Sequence, residues 1–209
     1  MRYVLLIVWL GFIGYAFLLA PDTVGPDPYL RSLLTLQSDE PSLLAMFTLL
    51  GLFPLSYACL LLRTDDRVVP AWPFVIGSFA LGAFALLPYF ILTASGKWAE
   101  RTHRIRTADS IRRSTEGTAT HWILLILTMF VMGYGLLGGH GAAYHQAFDT
   151  SAFVHTMTID FVILTVLSVY AIHVDERMQR QPAGLAWIGL IPIVGLLLYV
   201  WRTREPVQS

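Results

Sequence analysis

Six stretches of this chain stay apolar long enough to cross a bilayer, which takes about 17–25 residues of helix. They occupy positions 3–20, 43–62, 69–93, 120–139, 152–173 and 185–201. Lipid offers a backbone no hydrogen-bond partner, so each run is expected to close its own bonds as an α-helix. The expected fold is an all-α, polytopic transmembrane helical bundle of about six spans, with 1–209 forming a single integral membrane domain. Composition agrees: 56% of residues are hydrophobic and 13% charged, against about 25% charge in an ordinary soluble domain. The first run resembles a signal peptide. It exceeds the usual h-region of about 7–15 residues and no A-x-A site follows, so it is read as a retained helix.

Charge sits between the runs. "SGKWAERTHRIRTADSIRRSTEGTAT" carries Lys97, Arg101, Arg104, Arg106, Arg112 and Arg113, whereas "HGAAYHQAFDTS" has neither Lys nor Arg. The positive-inside rule places the first in the cytoplasm and the second outside. If all six runs cross, alternation puts both chain ends outside and takes Arg63, Arg67, Arg202 and Arg204 with them. Ile105 and Ile111, interleaved with arginines, suit a short helix lying on anionic headgroups. Net charge is zero, so no basic field exists for nucleic acid. The expected partners are membrane lipids and a larger membrane protein complex. A lone cysteine, Cys59, excludes an internal disulfide and a Cys-rich metal site.

Small residues mark expected helix contacts: Ser78 and Gly82 in "GSFALGAFA", with more glycine in "GFIG" and "GYGLLGGHG". Pro54, Pro88 and Pro192 lie inside runs and should kink or break them. Such interruptions also occur at transporter sites. "FIGYAFLL" in the first run resembles "VMGYGLLG" in the fourth, which would make two halves of three helices each. An odd number of crossings per half implies inverted halves.

The fifth run holds the polar residues of most interest, in "FVHTMTIDF". At 100° per residue, His155 and Asp160 are about 140° apart and face different ways, while Thr156 shares the face of Asp160. Asp160 lies roughly 12 Å inside the run. An aspartate there costs about 2.5–3.5 kcal/mol on insertion scales, and no Lys or Arg lies mid-run to pair with it. Intramembrane ionisable groups are site candidates by default, so Asp160, His155 and Thr156 form the candidate intramembrane polar site. His121, His140, His145 and His173 are read as interface histidines at run ends, and His103 as part of the Arg-rich segment. No dense ligand motif such as H-E-x-x-H or C-x-x-C is present, so no metal is assigned and the residues name no cofactor. "HVDERMQR", with His173, Asp175, Glu176, Arg177 and Arg180, reads as a solvated, self-paired cluster at the headgroups.

"WLGFIGYAFLLAP", "LFPLSYACLLL", "VPAWPFVIGSFALGAFALLPYF", "FVHTMTIDF" and "GLIPIVGLLLYVWRTREP" occur here in one order. The chain thereby resembles a family of multi-pass integral membrane proteins of cyanobacteria and plastids, over most of its length. That resemblance implies a photosynthetic-type membrane, plasma or thylakoid, rather than a reaction. More distantly, His155, Asp160, Pro192, Gly195 and Arg202 are similar to positions in the plastid membrane protein family required for neoxanthin synthesis. This likeness implies carotenoid chemistry, in a family that reads as four helices where this chain has six candidates.

Plentiful packing faces and no catalytic constellation favour a non-catalytic protein that packs against or helps assemble a larger complex. One alternative is a membrane enzyme acting on an isoprenoid, carotenoid or other lipid. It would need Asp160 and His155 to converge on one cavity, with His121 or His140. The other is a proton-coupled transporter using Asp160 and the helix prolines.

Overall fold

Prolines and short acidic side chains set where the helices begin. Pro28, Pro41 and Pro73 each stand in the first turn of a helix, where the missing N–H leaves no bond unmade. A computed structural model of the chain describes residues 1–18, 20–21, 27–63, 65–94, 107–179 and 184–203. Its helices are α1 (Arg2–Leu18), α2 (Pro28–Leu34), α3 (Pro41–Leu61), α4 (Trp72–Leu81), α5 (Ala83–Thr93), α6 (Asp109–Glu116), α7 (Thr118–Gly138), α8 (Gly141–Thr150), α9 (Ala152–Gln179) and α10 (Val194–Arg202), with a 3-10 helix at Ala186–Leu190. The described residues contain no strand, so the fold is all-α. Three helices, α3, α7 and α9, are long and apolar enough to cross a membrane; α1 is apolar and 17 residues long.

Side-chain pairings fix the directions. Phe47 meets Phe153, Phe53 meets Phe161, Tyr57 bonds Leu164 and Arg63 pairs with Asp175, so α3 and α9 run parallel. Gly135 and Gly138 lie against Ala45 and Pro41, so α7 runs the other way. Tyr15 meets His155 near the start of α9, which makes α1 antiparallel to α9. Helix ends therefore gather at two levels. Arg2, Leu61, Thr118 and Gln179 lie at one end, termed the mouth; Leu18, Pro41, Gly138 and Ala152 lie at the far end. At the far end Asp27 joins two helix starts. Its Oδ1 accepts the Tyr29 N–H at the head of α2, and its Oδ2 accepts the Ser151 hydroxyl and the Phe153 N–H at the head of α9.

The third apolar run is not one straight helix. It folds back on itself as α4 and α5. The Phe74 and Tyr89 rings lie 5.6 Å apart and Gly77 packs on Ala85, whereas one straight helix would hold Phe74 and Tyr89 about 22 Å apart. The reversal is at Gly82, whose φ of 52° and ψ of −127° only glycine adopts readily. The sixth run does the same. Its 3-10 helix lies along α9, with the Leu185 N–H on Glu176 and Gly189 against Ser168 and Val169. It then turns, and α10 returns to place Tyr199 on Asp175 and Thr203 on Arg63. The turn centres on Ile193, at φ 63° and ψ −53°, with the Val194 N–H bonded to the Pro192 carbonyl at 2.5 Å. This is a γ-turn of the strained hand. Two of the six expected spans are thus hairpins that start and end at the mouth.

With the two hairpins in place, the chain shows a repeat. Residues 2–93 make a helix, a short far-end helix, a helix and a hairpin. Residues 118–202 make the same series, and α6 connects them. "FIGYAFLL" and "VMGYGLLG" fall on the matching helices α1 and α7. The halves are parallel, not inverted as the run count implied, because each goes across, comes back and ends in a hairpin on its starting side.

"HVDERMQR" is not the solvated cluster expected from its sequence. α9 extends to Gln179 and carries Asp175 and Glu176 beneath α10, leaving them 7% and 2% exposed. Asp175 receives Arg63 from the first half and the Tyr199 hydroxyl from the second, at 2.7 Å for the latter. "GFIG" makes no close helix contact either. A Cβ added to Gly11 or Gly14 would meet nothing within 4 Å, whereas one added to Gly135 would come within 2.5 Å of Ala45. Arg63→Met strands a buried carboxylate and is expected to cost about 3–5 kcal/mol. Thermal unfolding in detergent should show that loss, and most of it should return in the double variant Arg63→Met, Asp175→Leu.

Candidate functional site

Asp160 sits at the tip of the first hairpin. The break at Gly82 leaves the start of α5 with N–H groups that no preceding turn can satisfy. Asp160 Oδ1 accepts the first of these, from Ala83, at 2.7 Å. A carboxylate at a helix N-terminus also faces the positive end of the helix dipole. The approach is so close that a Cβ on Gly82 would run into the Asp160 carboxylate. Glycine is required there twice, for its backbone angles and for the space.

A second bond ties the same turn from the other side. Pro88 has no N–H, so the Phe84 carbonyl four residues earlier loses its helical partner. The Trp9 indole of α1 donates to that carbonyl at 3.1 Å, and Phe12 stacks on the Phe84 ring at 3.9 Å. The opening turn of α5 is thus held by α9 through one side chain and by α1 through another. Both backbone groups would otherwise be unpaired in an apolar interior, at about 1–3 kcal/mol each.

The three residues expected to form one polar site are separated. His155 lies at the far end, stacked on Phe148 at 4.1 Å and beside Tyr15 at 5.4 Å. Its Nδ1 lies 3.0 Å from the Phe148 carbonyl and therefore carries the proton, so Nε2 accepts from the Tyr15 hydroxyl. Thr156 is half-buried on α9, and the bond to Asp160 comes from Ala83 rather than from Thr156. His121 is buried at the start of α7 with Nδ1 3.0 Å from the Gly117 carbonyl. His140 and His145 are at the far end, His173 is near the mouth end of α9, and His103 lies outside the described residues. No three His, Cys, Asp or Glu side chains gather into a ligand set among the described residues. A small hollow, with room for roughly one water, lies near the mouth among Arg67, Tyr89, Phe90, Asp175 and Met178, two helical turns or more from Asp160.

No protein-family model, curated protein or solved structure matches the chain.

Sequence reasoning alone does not name Gly82 and Trp9 as residues that hold this turn. The available signal is a glycine in the middle of an apolar run with a proline six residues on. Gly82→Ala should destabilise by at least about 2 kcal/mol through strain and collision. Asp160→Asn keeps an acceptor for Ala83 and should cost less than Asp160→Leu, which leaves that N–H bare at about 1–3 kcal/mol. Thermal midpoints in detergent should place Asp160→Asn nearest the parent protein, with Asp160→Leu and Gly82→Ala below it.

The far end has a titrating contact outside the long apolar helices. Glu40 accepts the His140 N–H at 2.6 Å and the Ser42 hydroxyl at 3.1 Å. These bonds, the His140 N–H foremost, hold its carboxyl below the usual 4.5. A carboxyl lowered by folding contributes stability in full above 4.5, and the contribution is lost as pH falls through the lower folded value. Stability should therefore drop as pH falls below about 4.5, and Glu40→Gln should flatten that part of the pH–midpoint curve.

Proposed function

We propose that the protein is a non-catalytic integral membrane protein that packs against, or helps assemble, a larger complex in a photosynthetic-type membrane. One observation carries this reading. Asp160, the one carboxyl in the apolar length of α9, is committed to the backbone of its own chain at Ala83. Trp9 and Tyr57 likewise bond the backbone carbonyls of Phe84 and Leu164. The polar groups close the fold, and His155 is held by Tyr15 and Phe148 on another level. A catalytic pair would need to face one shared space. The test is complementation of a null strain. Asp160→Asn with His155→Ala should restore the wild-type phenotype, and the tagged protein should co-purify with partners in fixed ratio. Loss of complementation by a double variant that accumulates normally would sink the reading.

A carotenoid- or lipid-directed enzyme is the second reading. The fold-back of two runs favours it, because four helices remain that run from one end to the other, the number typical of the neoxanthin-linked family. Pigment or isoprenoid retained by the purified protein and lost in His155→Ala would establish it over the first. A transporter using Asp160 would instead show proton flux in liposomes that Asp160→Asn abolishes.

A further inference from the structure

The positions of the arginines and tryptophans point beyond the fold. With both hairpins returning to the mouth, Arg2, Arg63, Arg67, Arg112, Arg113, Arg177 and Arg202 all belong to that end, with Asp65, Asp66, Asp109, Glu116, Asp175 and Glu176. Arg63 and Arg67 are buried, as are Asp65, Asp66, Asp175 and Glu176, which leaves Arg2, Arg112, Arg113, Arg177 and Arg202 as the cations at or near the surface. The far end has Arg31 among the described residues, with Asp27, Asp39, Glu40 and Asp149 around it. The mouth also carries a girdle of indoles. Trp72 opens α4, Trp122 lies in the first turns of α7, Trp187 is the second residue of the 3-10 helix and Trp201 the last but one of α10. They are 51%, 50%, 71% and 52% exposed. Trp122 and Trp201 meet within the second half, between α7 and α10, with ring centroids 6.3 Å apart. No tryptophan lies at the far end among the described residues.

Indoles at one level and cations just beyond them are what a lipid headgroup layer selects. The ring body sits in the acyl boundary, the N–H reaches water or phosphate, and the cation meets anionic headgroups. α6 suits the same layer, with Ile111 exposed between Ser110 and the arginine pair 112–113.

We infer that the mouth end is an interaction surface for anionic lipid headgroups and lies on the cytoplasmic leaflet, with four crossings, α1, α3, α7 and α9, and two re-entrant hairpins entering from that side. Under six crossings, no orientation keeps Arg63, Arg67 and Arg202 on the same side as Arg112 and Arg113. Under four crossings, the positive-inside rule and the structure agree. The inference rests on the membrane reading and is independent of the assembly role.

Single cysteines in a Cys59→Ser background test it in the plasma membrane of a bacterial host. A membrane-impermeant maleimide should label Gln146→Cys in intact cells, and label Val68→Cys and Ser114→Cys only after lysis. Labelling of Ser114→Cys in intact cells would overturn the orientation. Labelling of Val68→Cys and Ser114→Cys from opposite sides would overturn the re-entrant hairpin. For the headgroups, the purified protein should unfold at a higher temperature in phosphatidylglycerol nanodiscs than in phosphatidylcholine, and the gap should shrink in Arg112→Gln, Arg113→Gln. Equal midpoints in the two lipids for the parent protein would overturn the headgroup assignment. Failure of the complementation test leaves each of these readouts unchanged.

Discussion

The bond from the Ala83 N–H to Asp160 is what allows the first hairpin to end inside the protein. A chain that reverses in an apolar interior must dispose of the backbone groups it exposes at the turn. Here one carboxylate oxygen takes the leading N–H of α5, and glycine at position 82 lets the carboxylate come that close. Without the acceptor that N–H would be left bare, at about 1–3 kcal/mol. The carboxylate therefore supports the return of the run 69–93 on itself.

The second hairpin meets the same demand differently. At Ile193 the chain makes a γ-turn in which the Val194 N–H bonds the Pro192 carbonyl, so the tip satisfies its own donor and needs no carboxylate opposite. The cost is a β-branched residue at positive φ, of order 1–3 kcal/mol, and full burial of the isoleucine helps hold it there. Two parallel halves thus share a plan but not a tip. This difference explains why α9 carries a deep aspartate while its counterpart α3 carries none in its apolar length. Asp160 reads less as an isolated functional group than as the complement of Gly82.

Much of this is legible in the sequence. The all-α class, the extents of α3 and α7, the start of α9, the depth of Asp160 and its separation from His155 all follow from run length and a 100° step. The likeness between the first and fourth runs falls on α1 and α7, but counting six crossings gives the two halves the wrong relation. What run length cannot supply is direction. A hairpin of two short helices and a single tilted helix contain similar numbers of apolar residues, and hydropathy weighs both alike. Gly82 looks like half of a packing pair with Ser78 because small-xxx-small spacing is common. Its true role depends on an aspartate far along the chain. Asp175 and Glu176 mislead for a related reason. They look like a solvated helix end until the returning α10 covers them, and the return depends on a turn of only a few residues.

The buried charges at the mouth follow from the hairpins. Each hairpin brings two lengths of backbone to the same end of the molecule, so that end must close over more chain than the long helices alone would bring. Asp175 lies where the halves meet: Arg63 arrives from the exit of α3, Tyr199 from the returning arm of α10, and Gln179 from one turn further along α9. A buried ion pair adds little stability by itself, since desolvation offsets most of the attraction. Its value lies in selectivity. A hydrophobic contact at this point would tolerate α10 sliding by a turn along α9, whereas one carboxylate with three donors from three directions accepts a single register. The far tip of the first hairpin is fixed by Asp160 and the mouth of the second by Asp175. Both lie on α9, about four helical turns apart. That helix therefore carries the contacts by which each half positions the other.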